Sequence, residues 1–238
     1  MRGPEGRAPD VTPRPDSRWF SHDGLLQARP AFRRRLPWWR VRLPLSPLQR
    51  LLASRLAHRR SATVDHPDAS LAGVAVVIAP SPDAVLLIRR AERAGDPWSG
   101  HMGLPGGRYQ RDDPDLRATA VRETREEVGL TLDPACWLGV LGDVSPRTPT
   151  PNPIVVRPFV FAVPERPVLA PNDEVALALW VELAELGSEG VYRETTLRIL
   201  GVDRHFPAYH IGEHVVWGLT ERILTSLREV LAGPQGAE

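Results

Sequence analysis

The chain has 238 residues, 42% of them apolar and 25% charged, which is enough to bury one substantial core and excludes a disordered or fibrous chain. A formal net charge of +1 gives no overall pull toward nucleic acid or a membrane surface, so any anion-binding surface has to be local. The single cysteine, Cys136, excludes an intramolecular disulfide and a thiolate zinc centre. With no apolar run long enough to span a bilayer and no basic-then-apolar leader, a cytoplasmic location is expected.

The first 20 residues are rich in Pro, Arg, Gly and Asp and poor in core formers, which predicts an unstructured start. Residues 32–45 place Arg33, Arg34, Arg35, Arg40 and Arg42 around Trp38 and Trp39. This segment is either a docking element for an anionic surface or partner subunit, or a solvated arm folded onto its own domain. Ser46 before Pro47 reads as a helix N-cap and first helical position, and Leu48, Leu51, Leu52 and Leu56 recur at helical spacing as far as His58. Residues 1–60 are therefore expected to form an N-terminal extension, partly disordered with one short helix, ahead of a folded domain at 71–231.

That domain opens with a valine-rich run at 73–79, ended by Pro80, Ser81 and Pro82, which predicts a buried strand. A second strand is expected at 85–90, close enough to pair with the first as an antiparallel neighbour. Residues 95–107 read as a glycine-rich loop with one short extended piece, followed by a helical pattern from Leu116 to Val128. Further strands are expected at 137–144, 154–163 and 177–181, and a closing helix from about Glu213 to Leu231. Strands on both sides of a central helix, with another helix at the end, make an α+β, or mixed α/β, sandwich.

The chemistry lies on the central helix. Glu123, Glu126 and Glu127 stand at i, i+3 and i+4, which puts three carboxylates on one face. Like charges so placed are destabilising unless cations neutralise them, and an all-oxygen set suits Mg²⁺ or Mn²⁺. Arg122, one turn before Glu126, is placed to orient that carboxylate, while Leu116, Ala120, Val121 and Val128 pack on the sheet and Gly129 stops the helix. A carboxylate row alone also describes an ordinary solvated helix face. What sets this one apart is Gly103-Leu104-Pro105-Gly106-Gly107-Arg108 just ahead of it, whose glycines permit close backbone approach. It is not a Walker loop, because no Gly-Lys-Ser/Thr follows.

Loop and helix together resemble the Nudix box. Gly107, Arg122, Glu123, Glu126, Glu127, Gly129 and Leu130 match it, with Thr124 at a usually apolar position and Asp113 where a glutamate is usual. The interval between Gly107 and Arg122 is one residue longer than standard, and Asp113-Pro114 is expected to absorb the insertion in the loop. Within that superfamily the chain is similar to the coenzyme A pyrophosphatase branch over residues 71–231. Leu86-Leu87-Ile88-Arg89-Arg90-Ala91 and Gly100 ahead of Leu104-Pro105-Gly106-Gly107 echo that branch's motif, with Leu104 in place of a phenylalanine, and Trp217-Gly218-Leu219-Thr220 is also similar.

The resemblance implies a Nudix-type α/β/α sandwich with a mixed sheet and metal-dependent hydrolysis of a diphosphate linkage. In that branch coenzyme A or acyl-CoA gives 3′,5′-ADP and 4′-phosphopantetheine. The alternatives are a Nudix hydrolase of ADP-ribose, a dinucleotide or another nucleoside diphosphate derivative, with specificity set by residues 147–153 and 193–209, and a noncatalytic ligand-binding module on the same fold. Mg²⁺ or Mn²⁺ would be held by Glu123, Glu126 and Glu127, with Glu126, Glu127 and Arg122 in the catalytic set and Glu174, from the loop before the Trp180 strand, as an additional base. Substrate contacts are expected from Arg89, Arg90, Gly106, Gly107 and Arg108, the guanidinium groups suiting phosphate oxygens although each also reads as a surface arginine. His101 and Cys136 stay outside the catalytic set. The expected partner is a small-molecule diphosphate, with no nucleic acid and no membrane span, and a homodimer is the one oligomer kept open.

Overall fold

The computed structural model describes residues 44–59, 61–64, 68–95, 98–147, 153–199 and 201–233. The expected unstructured start, most of the basic, aromatic segment and residues 148–152 of the 147–153 loop lie outside the described residues.

Helix α1 (Pro47–His58) begins with a reciprocal cap. The Ser46 hydroxyl accepts the Gln49 amide at 3.1 Å, and the Gln49 side chain accepts the Ser46 amide at 2.9 Å, which satisfies two donors of the helix start. Gln49 is fully buried and its Nε2 donates to the carbonyls of Ile78 and Val163 at 2.9 and 3.0 Å. Leu52 and Leu56 are buried beside it, so α1 is stitched to the sheet.

The chain continues through β1 (Ser70–Ala79), β2 (Ala84–Arg90), β3 (Met102–Gly103), β4 (Gly106–Arg108), α2 (Leu116–Val128), β5 (Trp137–Val140), β6 (Ile154–Ala162) and β7 (Val175–Glu182). These strands form one mixed sheet, with β1 and β6 parallel and the other pairs antiparallel. β1 and β2 pair only at Ile78 with Val85 and Ala79 with Ala84, and then diverge. The wedge between them is filled by β3 on β2 and β4 on β1, and the Pro105 carbonyl takes the Ala75 amide at 2.8 Å.

Side-chain alternation along the strands builds two cores. Val76, Ile78, Val85, Leu87 and Val160 face α1 and α3, whereas Ala75, Val77, Leu86, Ile88, Phe159 and Phe161 face α2. Each fully buried large side chain contributes roughly 1.5–3 kcal/mol of transfer free energy. The result is the expected α/β/α sandwich around a mixed sheet.

The C-terminal third differs from its sequence reading. Residues 193–209, read as a specificity loop, belong to the hairpin of β8 (Tyr192–Ile199) and β9 (Val202–Ile211). β10 (His214–Trp217) adds a third strand, so the closing helix α3 (Gly218–Ala232) starts at Gly218 rather than Glu213. Gly212, at φ 57°, makes the turn that returns Val215 and Val216 onto β9. The alternation that would have announced β8 and β9 is faint because this small sheet buries few side chains, among them Ala208, Tyr209, Ile211 and Val216.

Candidate active site

Helix α2 lies very close to the sheet. A Cβ on Gly73 of β1 would sit 2.0 Å from the Leu116 carbonyl oxygen, so only glycine admits the helix start at this depth. Asp115 caps that start by accepting the Ala118 amide at 2.8 Å, and Gly129 ends the helix in the left-handed region at φ 71°. Two of the last carbonyls are taken up by a later loop, with Asn172 N–H donating to Glu127 O at 3.0 Å and Ala170 N–H to Val128 O at 2.9 Å. These bonds hold residues 170–174 against the helix end, where the Glu174 charge acts on Glu123 and Glu127. Thr124 is fully buried, and its hydroxyl donates to the Ala120 carbonyl at 2.6 Å, so a polar group is tolerated at an apolar position.

The three glutamates occupy different environments. Glu127 is 3% exposed, and its Oε2 accepts the Gly106 amide at 2.8 Å. Burial pushes its carboxyl up to about 7, the Glu123 charge adds to the push, and the Gly106 amide and the Arg90 charge oppose it. Glu123 is also pushed up by burial, against the pull of Arg122. Its carboxylate lies over Gly107, where a Cβ would come within 2.5 Å. Glu126 is half-exposed.

Arg122 organises this face. Its Nε and Nη2 donate to the two oxygens of Asp113 at 2.9 and 3.0 Å, while Nη1 reaches Glu123 Oε1 at 2.8 Å and Glu126 Oε2 at 3.0 Å. Asp113 also accepts the Thr119 hydroxyl at 2.9 Å and the Gln110 amide at 3.0 Å. The Arg122 guanidinium, helped by those two donors, holds the buried Asp113 carboxyl down at about 2. Asp113 thus anchors the arginine that aligns Glu123 and Glu126.

The arginines expected at the substrate divide between the two faces of the sheet. Arg90 pairs with Val175, whose side chain belongs to the α2-side core. Arg89 pairs with Met102 and so points to the α1 and α3 side. Arg108 pairs with Ala72, also on that side, and is exposed. Arg90, Gly106 and Gly107 therefore stand with the glutamates, whereas Arg89 and Arg108 do not. Glu174 is half-exposed and paired with Arg93 at 3.1 Å, a partner the sequence reading missed because it lies 81 positions away. Gly73 was missed as well, although a glycine inside a valine-rich strand signals close backbone approach.

The donor set is all oxygen and fits a hard divalent cation. Among the described residues no three acidic, histidine or cysteine side chains already converge as a metal cage. Burial raises the carboxyls of the half-buried Glu123 and the buried Glu127, and a divalent cation beside them would favour their charged forms.

Comparison with known proteins supplies the family. Residues 70–199 match the family model described as the NUDIX domain. The chain is 30% identical over 157 residues to the uncharacterized Nudix hydrolase NudL of Yersinia pestis, covering 66% of this chain and 76% of NudL. It is 42% identical over 110 residues to an uncharacterized protein of Schizosaccharomyces pombe, covering 43% of this chain but only 32% of that protein. A MutT/nudix family protein from Enterococcus faecalis has the same fold, with a TM-score of 0.52 at 20% identity over 79% of this chain and 70% of that one. With more than half of its length inside the domain model and about three quarters of NudL covered, the chain belongs to the Nudix family of pyrophosphohydrolases.

Proposed function

We propose that the chain hydrolyses the diphosphate linkage of coenzyme A or an acyl-CoA to 3′,5′-ADP and 4′-phosphopantetheine, with Mg²⁺ or Mn²⁺ held by Glu123, Glu126 and Glu127. The observation that carries this reading is the pair of carboxylates at the glycine loop, the buried Glu127 on the Gly106 amide at 2.8 Å and the half-buried Glu123 over Gly107. A divalent cation bound there supplies charge neutralisation to the diphosphate oxygens and acidity to water.

The chain's own groups account for the remainder. Gly106 and Gly107 leave the backbone open to a close-lying diphosphate. Arg122, braced by Asp113, keeps Glu123 and Glu126 turned the same way. Arg90, on the same face, is the candidate clamp for a phosphate oxygen. Glu174 is the candidate base: as water oxygen bonds to phosphorus and the bridging P–O bond breaks, its carboxylate takes the proton. The coenzyme A assignment rests on the Leu86-to-Gly107 motif and on Trp217-Gly218-Leu219-Thr220.

The test is incubation of the full chain with Mg²⁺ or Mn²⁺ and coenzyme A, ADP-ribose, NADH and diadenosine polyphosphates, with products identified by mass beside Glu127→Gln. Coenzyme A split into the two named products by the wild type alone is the expected result. Preference for another diphosphate would retain the reaction and discard the substrate.

A further inference from the structure

An open cleft of about 260 Å³ is lined by α3, the start of β8 and the segment that follows β5. Leu224 and Leu227 of α3 and Tyr209 of β9 pack with Val76 and Leu87 on the face of the main sheet that turns away from α2, so the cleft belongs to the opposite side of the sheet from the acidic helix. Two guanidinium groups line it. Arg222 of α3 is half-buried and donates through Nη1 to the Ser145 carbonyl, and Arg147, two residues further on, is exposed. Among the described residues neither forms an ion pair. Burial pushes the Arg222 guanidinium below the usual arginine range, and the Arg147 charge adds to the push while the adjoining Glu221 opposes it. An anion between the two arginines would favour the charged form of both.

The same cleft holds a buried carboxylate. Glu221 is 3% exposed, and its Oε1 accepts the Tyr192 and Thr225 hydroxyls, each at 2.9 Å. The Thr225 and Tyr209 hydroxyls lie 2.8 Å apart, which extends the network and holds the carboxylate in place. Oε2 accepts no hydrogen bond among the described residues, which leaves it for a donor entering the cleft. A ligand therefore has to bring negative charge for the arginines and a proton for Glu221. The exposed Glu229, which also lines the cleft, weighs against an ion that is anionic throughout.

We propose that this cleft binds a phosphate group that carries a hydroxyl, with Arg147 and Arg222 on its anionic oxygens and Glu221 Oε2 accepting from the hydroxyl. The guanidinium fork suits phosphate oxygens, and a carboxylate beside it selects a ligand that has a proton to donate. Free phosphate supplies that proton from its own P–OH, and a sugar phosphate supplies it from the sugar. The site does not depend on the reaction proposed for the glutamates.

Sulfate has the shape and charge of phosphate but no proton at neutral pH, so the two ions are titrated separately into the full chain by calorimetry with a chelator present. Phosphate is expected to bind at least about tenfold more tightly than sulfate. Arg147→Ala, at an exposed position, should weaken phosphate binding by about tenfold, and Arg147→Lys should restore part of the loss. Glu221→Gln should bring sulfate close to phosphate in affinity, because the glutamine oxygen can still accept from Tyr192 and Thr225 while its amide donates to either ion. Its melting temperature, taken alongside, shows whether the variant is folded, and the Arg147 variants test the site without it. Ribose 5-phosphate is the third ligand: tighter binding than free phosphate assigns the site to a sugar phosphate, and weaker binding assigns it to the free ion. Equal affinity of the wild-type chain for phosphate and sulfate, or phosphate binding unchanged in Arg147→Ala, would each overturn the proposal.

Discussion

The wedge and helix at residues 102–129 and the small sheet of β8, β9 and β10 are both short stretches of chain, but they are held together by different means. In the first, backbone meets backbone. Gly73 and Gly106 leave no room for a methyl group against neighbouring backbone, Gly107 lies under the Glu123 carboxylate, and Arg122 bridges Asp113, Glu123 and Glu126 at 2.8 to 3.0 Å. In the second, Tyr192 and Val202 stand exposed, and burial is concentrated in a few residues such as Ala208, Tyr209, Ile211 and Val216. A region fixed by steric exclusion and charge pairing can hold reacting groups in register, whereas a lightly buried sheet can change its outer surface at little cost to the fold.

The largest expected effect falls on the glutamates. Glu127→Gln should lower turnover by about 10²–10³-fold or more, because the carboxylate charge is what a cation and a diphosphate require. It should still fold, since the glutamine oxygen can accept the Gly106 amide that Glu127 now holds at 2.8 Å. Retained turnover in a steady-state assay would remove Glu127 from the site.

Gly106→Ala is expected to cost about 3 kcal/mol or more of stability in denaturant unfolding. Its Cβ would lie 2.4 Å from the Gly73 carbonyl oxygen, and the backbone there is at φ 150°. A loss below about 1 kcal/mol would show that the wedge yields more readily than backbone contact implies.

Asp113→Ala should cost about 2–3 kcal/mol through lost charge-assisted hydrogen bonds to Arg122. Because the folded carboxyl is depressed from 3.8 to about 2, its contribution is present at neutral pH and is lost as pH falls through that interval. The variant should therefore show a flatter acid limb than wild type in a stability–pH titration.

Glu127 has the opposite sign. Its folded carboxyl is raised from 4.5 to about 7, so the metal-free chain loses stability as pH rises through that window. Added Mg²⁺ should raise the melting temperature more at pH 8 than at pH 5.5, by about 2–4 °C for each kcal/mol regained. An Mg²⁺ shift independent of pH would argue against a cation at this carboxylate. The smallest effect is expected at Val202→Ser, within about 0.5 kcal/mol by thermal melting. A larger loss there would mean that this face of the β8–β9 hairpin is covered by something in solution.

Much of the first region is legible in the amino-acid sequence. The i, i+3, i+4 glutamates, the Gly129 stop and the paired glycines are local patterns, each written within one or two helical turns or a single tight loop. The separation of Arg90 from Arg89 and Arg108 is not, because it depends on which face each strand presents to α2. Nor is the Arg93 to Glu174 pair, which joins two loops distant in sequence. β8 and β9 escape because their pairing is with each other and with β10, and so few of their side chains are buried that the strand period is faint.

By itself the sequence determined the mixed α/β class, the acidic face of α2 and the glycines in front of it, since these follow from side-chain period, charge and backbone permissiveness over short spans. Tertiary structure alone decided that Gly73 admits the helix, that Asp113 anchors Arg122, that Glu127 is buried enough to be pushed toward neutrality, and that Trp98 meets Trp217. Those outcomes depend on solvent exclusion and on distances between segments far apart in the chain, and neither is fixed until the strands and helices have packed.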